Sequence, residues 1–558
     1  RQGDPLSPLI FVIAADLLQA AINDGFREGE VQLPFPCIGQ TDYPVIQYAD
    51  DTILAMPACP QQAAVIKQIL VDYASSIGLR INFHKSTLIP INMTQEAALA
   101  LATFFGCSVG SMPFTYLGLP LGTSKPTILD LMPLVCSAER RLTSTISMMS
   151  YGGKLSWLNA TVTSLLIYAM CTLKFPPQLI EMLDKIRRRC LRTKKTEHGD
   201  KCNSLAAWEM VCKPKKHGGL GVINIKVQND ALLMKFLHKF YNKLDVPWVQ
   251  LIWNTYYTDK VPHATDPVGS FWWRQILKLT PVFRGISQVR IVSGDTVLVW
   301  KDLWAPDILQ ASHPHAFSFA MHEDESVKDF LERTALSETF HLPLSPQALD
   351  EVQDIQQIST HAHPSASVND IWYYTWGKSI YRPADYYKFF FRDANAHPAF
   401  SLLWRSRCIM RIKVFGWLLM VDRLNTRDML KRRHFDIGDD HSCLLCGNHD
   451  EETVDHMIFT CTFSQACWRK LGISWPPFTC RLKLLQQAKH SWGRPLFFET
   501  FLVAAWSLWK ERNNKHFRRI TPTIGGWLNR FKEDFDLLKH RTRGSHPAFI
   551  SSFVSELN

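Results

Sequence analysis

The stretch VIQYADDTILA, beginning at Val45, constrains the fold more than any other part of this chain. Asp50 and Asp51 stand side by side, with Ile46 and Tyr48 on one flank and Ile53 and Leu54 on the other. Apolar and aromatic flanks of this kind suit a buried pair of strands, which puts both carboxylates at the tip of a tight β-hairpin. Adjacent acidic oxygens held rigidly at a bend meet what a two-metal phosphoryl-transfer site requires. They are also ordinary chemistry for a solvated turn, so the pair alone leaves both readings open.

The neighbouring segments narrow the choice. RQGDPLSPLIFVI opens the chain, and Ile10, Ile13, Ala14, Leu17 and Ala21 then recur at helical spacing, with Ser7 as a cap and Pro8 in the first turn. Beyond the hairpin, Val65, Ile66, Ile69, Leu70, Tyr73 and Ile77 keep the helical period until Gly78 stops it. A short strand is expected over Leu79 to Asn82, followed by Lys85 and Ser86. TYLGLPLG (Thr115 to Gly122) comes next, its glycines suited to a turn or a close backbone approach.

RQGDPLSP, YADD, GLRINFHKS and YLGLPLG, in that order within the first 122 residues, resemble the later palm motifs of reverse transcriptases of plant LINE-type (non-LTR) retrotransposons. The resemblance implies an RNA-directed DNA polymerase, with Asp50 and Asp51 as catalytic carboxylates at a Mg²⁺ site. It implies further that Gln2, Gly3 and Tyr48 lie near the incoming nucleotide and template, and that Leu117 and Gly118 belong to a primer grip. Lys85 matches a lysine that helps protonate the pyrophosphate leaving group, although a solvated surface lysine fits the same position. The family's palm has another metal-binding aspartate on an upstream strand, preceded by the fingers. Arg1 already lies inside the motif that follows, so the expectation is a C-terminal portion that binds Mg²⁺ weakly and is catalytically incomplete by itself.

Composition agrees with several folded domains: 558 residues, of which 46% are hydrophobic. The apolar runs Leu165 to Leu173 and Phe501 to Trp509 are too short for a membrane span, and no membrane partner is expected. Fourteen scattered cysteines fit a reducing compartment better than a disulfide framework. The net charge of +11 is concentrated in blocks: eight Lys/Arg in Lys185 to Lys201, nine in Arg405 to Arg433 and five in Lys510 to Arg519. Such blocks suggest phosphate-binding surfaces, and each also reads as a solvated helix face. Trp404, Trp417, Trp468 and Trp509 lie beside basic residues and are candidates either for base stacking or for the core.

After the first 122 residues the pattern is mostly helical: Leu129 to Ser150, Leu155 to Leu173 and Leu179 to Leu191. WEMVCKPKKHGGLGVINI (Trp208 to Ile225) carries no recognisable chemistry, and VSGDTVLVWKDLWAP (Val292 to Pro306) reads as a strand pair around a Gly294-Asp295 turn.

The remaining chemical signal is metal-like. Cys443 and Cys446 lie two residues apart, followed by His456 and Cys461. A C-x₂-C knuckle with a later His and Cys can close a Zn²⁺ tetrahedron, and four protein ligands point to a structural role. His441, His449 and Cys467 are possible substitutes, and buried free cysteines are the bland alternative. The stretch from Tyr381 to Ile473, with WLL, DRLNTRDML, CxxC and HxxxxC in order, resembles the zinc-binding domain that follows plant LINE-type reverse transcriptases.

The expected fold class is therefore α+β and multidomain. It comprises a partial polymerase palm (1–122), a helical thumb-like region (123–245), a connecting region (246–375), a helical zinc-binding domain (376–480) and a basic helical tail (481–558). The resemblance implies RNA template and DNA target or primer as partners, with work in the nucleus; oligomeric state stays open. The rival reading is a non-catalytic nucleic-acid-binding remnant or an inert product.

Overall fold

The computed structural model describes residues 4–34, 42–141, 148–191, 206–257, 261, 268–333, 335–360, 369–394, 396–477 and 480–557. Their contacts gather into two compact units interleaved along the chain, Arg1–Leu131 with Met234–Tyr381 and Met132–Leu233 with Arg382–Asn558.

In the first unit, helix α1 (Ser7–Arg27) packs on helix α2 (Pro60–Ile77) through Leu18, Ile22 and Ile66, with Val31 and Tyr43 in the same core. Gly78 ends α2 at φ 75°, a left-handed cap that costs glycine nothing. Ser7 is the first residue of α1 and not its cap; just upstream, Asp4 Oδ1 accepts from Leu6 N at 2.9 Å. Strands β1 (Val45–Tyr48) and β2 (Asp51–Leu54) form an antiparallel hairpin whose Val45 and Leu54 lie against this core. Gln47 Nε2 donates to Ala15 O at 3.1 Å, tying the hairpin to α1, and the Tyr43 hydroxyl donates to Ala55 O at 2.7 Å, closing the hairpin's base. Burial pushes the Tyr43 phenol up to about 12.

Among the described residues, only one hairpin face is covered. Ile46 and Tyr48, expected in the interior, are 57% and 62% exposed. Side chains alternate across a strand, so the face that carries Val45 inward necessarily turns Ile46 and Tyr48 outward. The strand expected over Leu79 to Asn82 does not form. The Asn82 side chain accepts from Lys85 N at 3.1 Å, closing a 3₁₀ turn (Phe83–Lys85) that competes with an extended ladder. The pairing falls later, between Thr87–Leu88 and Ser108–Val109. Strands β3 (Phe114–Tyr116) and β4 (Leu119–Leu121) make a second hairpin, with Leu117 at φ 49° and Gly118 at φ 78°. Two positive φ values are what a tight two-residue hairpin turn of the primed type demands.

Helix α1 is long and apolar enough, by length and composition alone, to cross a membrane. Leu9, Ile10, Val12 and Ile13 point outward and are exposed. The same helix carries Gln19 and Asn23, which hydrogen-bond to the Tyr43 backbone at 2.9 and 2.8 Å, a polar anchorage that belongs to a folded domain.

The rest of this unit is built on aromatic packing: Phe240 stacks on Trp253 at 4.4 Å, and Tyr241 lies against Phe283 and Trp372. Strands β5 (Ser287–Arg290) and β6 (Ile371–Tyr374) pair antiparallel. The strand pair expected within Val292 to Pro306 is absent. That segment instead curls around the buried carboxylate of Asp370, which accepts from Val292 N, Ser293 N and Gly294 N at 2.8, 2.9 and 2.9 Å and from Thr296 Oγ1 at 2.8 Å. Backbone donors spent on a side chain are not available to a ladder.

The second unit is helical. Tyr151–Trp157, Leu158–Thr163 and Ser164–Met170 run on as one rod with a π turn in its middle, and Pro177–Leu191 follows. Helix Ile128–Arg140 covers part of the helix expected to reach Ser150, whose 142–147 portion lies outside the described residues. Buried Asn229 ends the rod by donating to Met170 O and Leu173 O at 2.9 and 2.8 Å while accepting from Phe175 N at 2.8 Å. The long helix Phe497–Arg518 is the centre of the C-terminal part. A Cβ on Gly416 would come within 2.5 Å of Leu502, so glycine there lets Met410–Met420 lie close against it. Trp417 and Trp468 are fully buried, which settles them as core and removes them as stacking platforms.

Candidate metal centres

The hairpin's turn is made of Ala49 and Asp50, with Ala49 at φ 51° and Asp51 directly opposite Tyr48. Asp50 and Asp51 are both exposed, and Tyr48 shares a face with Asp51 because opposed residues in an antiparallel pair do. Lys85 is exposed at the end of its 3₁₀ turn, and Leu117 and Gly118 occupy the β3–β4 turn. Among the described residues, no hydrogen bond or ion pair links Lys85, Leu117 or Gly118 to the two aspartates. Gln2 and Gly3 lie outside the described residues. For Mg²⁺ the fit is therefore partial. Two carboxylates stand at one bend, and no third His, Cys, Asp or Glu joins them among the described residues.

The cysteine–histidine cluster is more complete. Cys443, Cys446, His456 and Cys461 bring one ligand atom each to within 4.8 Å of all the others. Local structure explains how. Cys443 N donates to Asp450 O at 2.8 Å, and Gly447, at φ 69°, lets the chain turn back after Cys446. His456 opens a π turn (His456–Thr460), and Cys461 sits at the N-cap of helix Thr462–Lys470. The sulfurs of Cys443 and Cys461 are 3.9 Å apart, and Cys446 Sγ is 3.5 Å from His456 Nε2. Zn–S and Zn–N bonds of about 2.3 and 2.0 Å require tetrahedral edges of roughly 3.8 and 3.6 Å, so the cluster has the dimensions of a zinc tetrahedron. The fourth ligand closes it, leaving no open position for substrate.

Electrostatics agree with thiolate character at one corner. The hydrogen bond from the Cys443 thiol, aided by His456 and by the helix N–H groups of Ser464 and Phe463, holds Cys461 down at about 4. The same bond and burial push Cys443 well above the usual thiol range, and Cys461 raises His456. Cys467, a possible substitute ligand, is buried outside the cluster, where burial pushes its thiol upward. His441 and His449 are not in the cluster either.

A residue that sequence reasoning missed holds this knuckle in place. Glu452, fully buried, accepts from Leu444 N inside the knuckle at 3.2 Å and from Arg427 N at 3.1 Å. Its partner Arg512 comes from the long C-terminal helix, and only the acidic type at that position hinted at it.

Two stretches are similar to known families. Residues 1–121 match the reverse transcriptase (RNA-dependent DNA polymerase) family, and residues 381–468 match the zinc-binding region of reverse transcriptases. A ribonuclease H protein of Arabidopsis thaliana is 25% identical over 362 residues, covering 57% of this chain and 52% of that protein. The chain thus spans about half the length of the curated relative it matches. In these two stretches the chain is similar to reverse transcriptases and to their zinc-binding region, and the second stretch carries a cysteine–histidine cluster suited to structural Zn²⁺.

Proposed function

We propose that this chain is the palm, thumb and zinc-binding part of an RNA-directed DNA polymerase from a plant LINE-type (non-LTR) element. The observation that carries the reading is the hairpin bend that presents Asp50 and Asp51 to solvent inside the stretch similar to reverse transcriptases. In the intact reaction a primer 3′ hydroxyl attacks the nucleotide α-phosphate and pyrophosphate leaves. Magnesium, when bound, supplies neutralisation of the charge that builds on the phosphate oxygens. Asp50 and Asp51 hold that charge-balancing position at a rigid bend. In this reading Tyr48, Gln2 and Gly3 serve the incoming nucleotide and template, Lys85 gives a proton to pyrophosphate, and Leu117 and Gly118 steady the primer end, roles that the resemblance to reverse transcriptases supports. The helices in 123–245 serve as thumb, and the zinc domain and basic tail hold RNA template or target DNA.

Among the described residues only two carboxylates meet at the bend, fewer than a two-metal site uses, so this chain alone is expected to bind metal weakly and to extend primers poorly. That observation also favours a second reading, a nucleic-acid-binding remnant without catalysis. The relative's name raises ribonuclease H activity, but such a nuclease also needs several converging carboxylates, and the described residues gather only the cysteine–histidine cluster.

Primer extension on an RNA template tests the proposal, comparing the chain alone with the chain preceded by its upstream coding sequence. Extension by the longer form, lost in Asp50→Asn, supports it. Silence of both forms, together with failure to bind primer–template, overturns it.

A further inference from the structure

The segment KPKKHGGLG (Lys213 to Gly221) has no part in the polymerase or zinc chemistry, yet its conformation is closely specified. Gly219 N donates to Pro214 O at 3.2 Å and Gly221 N to Lys213 O at 3.0 Å, closing a loop. A Cβ on Gly219 would lie 1.9 Å from the Lys213 carbonyl oxygen, so no other residue permits that closure. Trp417 Nε1 donates to Gly218 O at 2.8 Å, and His217 Nδ1 lies 3.0 Å from Ala394 O. The loop is thereby fixed, and it holds Lys215 and Lys216 out in solvent.

Other cations converge on the same place. Lys215 Nζ lies 5.0 Å from the centre of the Trp404 ring. Lys413 Nζ donates to Trp404 O at 2.9 Å, and Arg541 Nε donates to Arg407 O at 3.0 Å. Arg405 and Arg407 are themselves exposed. Six cations from the loop, the end of helix Pro398–Arg405, helix Met410–Met420 and the C-terminal tail therefore gather around one helix end. Among the described residues none of the six takes part in an ion pair. The acid nearest by hydrogen bonding, Glu499, is buried and accepts from Arg407 N at 2.8 Å. Burial, reinforced by Arg541 and Lys215, keeps Lys413 below the usual lysine range. Capping a helix C-terminus accounts for two cations but not for six.

We infer that Lys215, Lys216, Arg405, Arg407, Lys413 and Arg541 form a grip for the phosphate backbone of a nucleic acid. Cations on four separate segments, three of them arginines with several donors each, suit a run of successive phosphates better than one isolated anion. The inference rests on the nucleic-acid reading above and assigns the KPKKHGG loop its role: the glycines shape it so that its lysines meet the helix end.

The test uses the full chain, zinc-loaded, and the anisotropy of a fluorescein-labelled single-stranded RNA and an RNA–DNA hybrid over a potassium chloride series. The triple variant Lys215→Gln, Lys216→Gln, Arg541→Gln is compared with a charge-matched control in the connecting region, Arg274→Gln, Lys278→Gln, Arg290→Gln, all three exposed. The first triple is expected to weaken binding about tenfold or more and to flatten the log–log salt slope by about 2, with the control within about threefold. Unchanged zinc content and circular dichroism establish that the variants fold. Equal losses in both triples, or none in either, overturn the grip. So does a first triple that loses binding only to phosphatidylserine vesicles. Wild-type chain that binds neither nucleic acid removes the underlying functional reading instead.

Discussion

Arg512 directs Nε and one Nη at a single carboxylate oxygen of Glu452, at 3.0 and 2.7 Å, with both side chains almost wholly buried. The bond joins the long C-terminal helix to the knuckle that carries Cys443 and Cys446, since Glu452 also accepts from Leu444 N. Arg512 lies beyond the stretch similar to reverse-transcriptase zinc-binding regions, which ends at 468. The tail is therefore part of the zinc unit's framework. Arg512→Met leaves a buried carboxylate without its cation and is expected to cost about 3–5 kcal/mol in chemical denaturation. Zinc affinity, measured by chelator competition, is expected to fall about tenfold. An unchanged midpoint and affinity would refute this linkage.

Zinc content gives a second prediction. The purified chain is expected to hold one zinc, with three sulfurs and one nitrogen in X-ray absorption. Cys443→Ser or Cys461→Ser is expected to lose the metal together with part of the helical circular dichroism, because structural zinc and folding are coupled. Affinity should fall as pH is lowered, since protons compete with zinc for the thiolates. A folded, metal-free protein with paired cysteines would contradict the assignment.

The buried carboxylate of Asp370 should be a strong determinant of stability in the other unit. Asp370→Ala strips its partners from backbone N–H groups of Val292, Ser293 and Gly294. Each orphaned donor costs about 1–3 kcal/mol, so the three together are expected to lower stability by at least roughly 3 kcal/mol in urea denaturation. A loss below about 1 kcal/mol would mean that water replaces the carboxylate easily.

Burial pushes Glu325 up to about 7, with Arg333 drawing it down and Asp329 adding to the rise. A carboxyl raised on folding stabilises the fold while protonated, so its contribution is complete below about pH 4.5 and is lost as pH climbs through about 7. Glu325→Gln should match the native chain near pH 4 and exceed it by roughly 1–2 kcal/mol at pH 8. That is less than the full shift would give, because local relaxation and water penetration soften the burial penalty on the ionised carboxylate. A difference independent of pH would contradict the buried carboxyl as its source.

What was legible in the sequence was local. Gly78 as a stop, the bend at Asp50, and the Leu117–Gly118 turn follow from residues a few positions apart, where backbone preference decides. The cysteine–histidine cluster was legible because Cys443 and Cys461 are only 18 positions apart. The Asp370 carboxylate and its donors are 74 to 78 positions apart, and Glu452 and Arg512 are 60 apart. No local pattern announces which distant carboxylate will take up a loop's N–H groups. Hence Val292 to Pro306 read as strands. The outward turn of Ile46 and Tyr48 was missed for a related reason: alternation tells which residues share a face, but not how many faces are covered.

Asp50 and Asp51 are expected to supply part of a divalent-metal site at the hairpin bend. Titrating Mn²⁺ into the zinc-loaded chain, with electron paramagnetic resonance to count bound ion, tests it most directly. One weak site, in the millimolar range, is expected, and it should disappear in the double variant Asp50→Asn, Asp51→Asn. Mn²⁺ binding that survives the double substitution unchanged would contradict it.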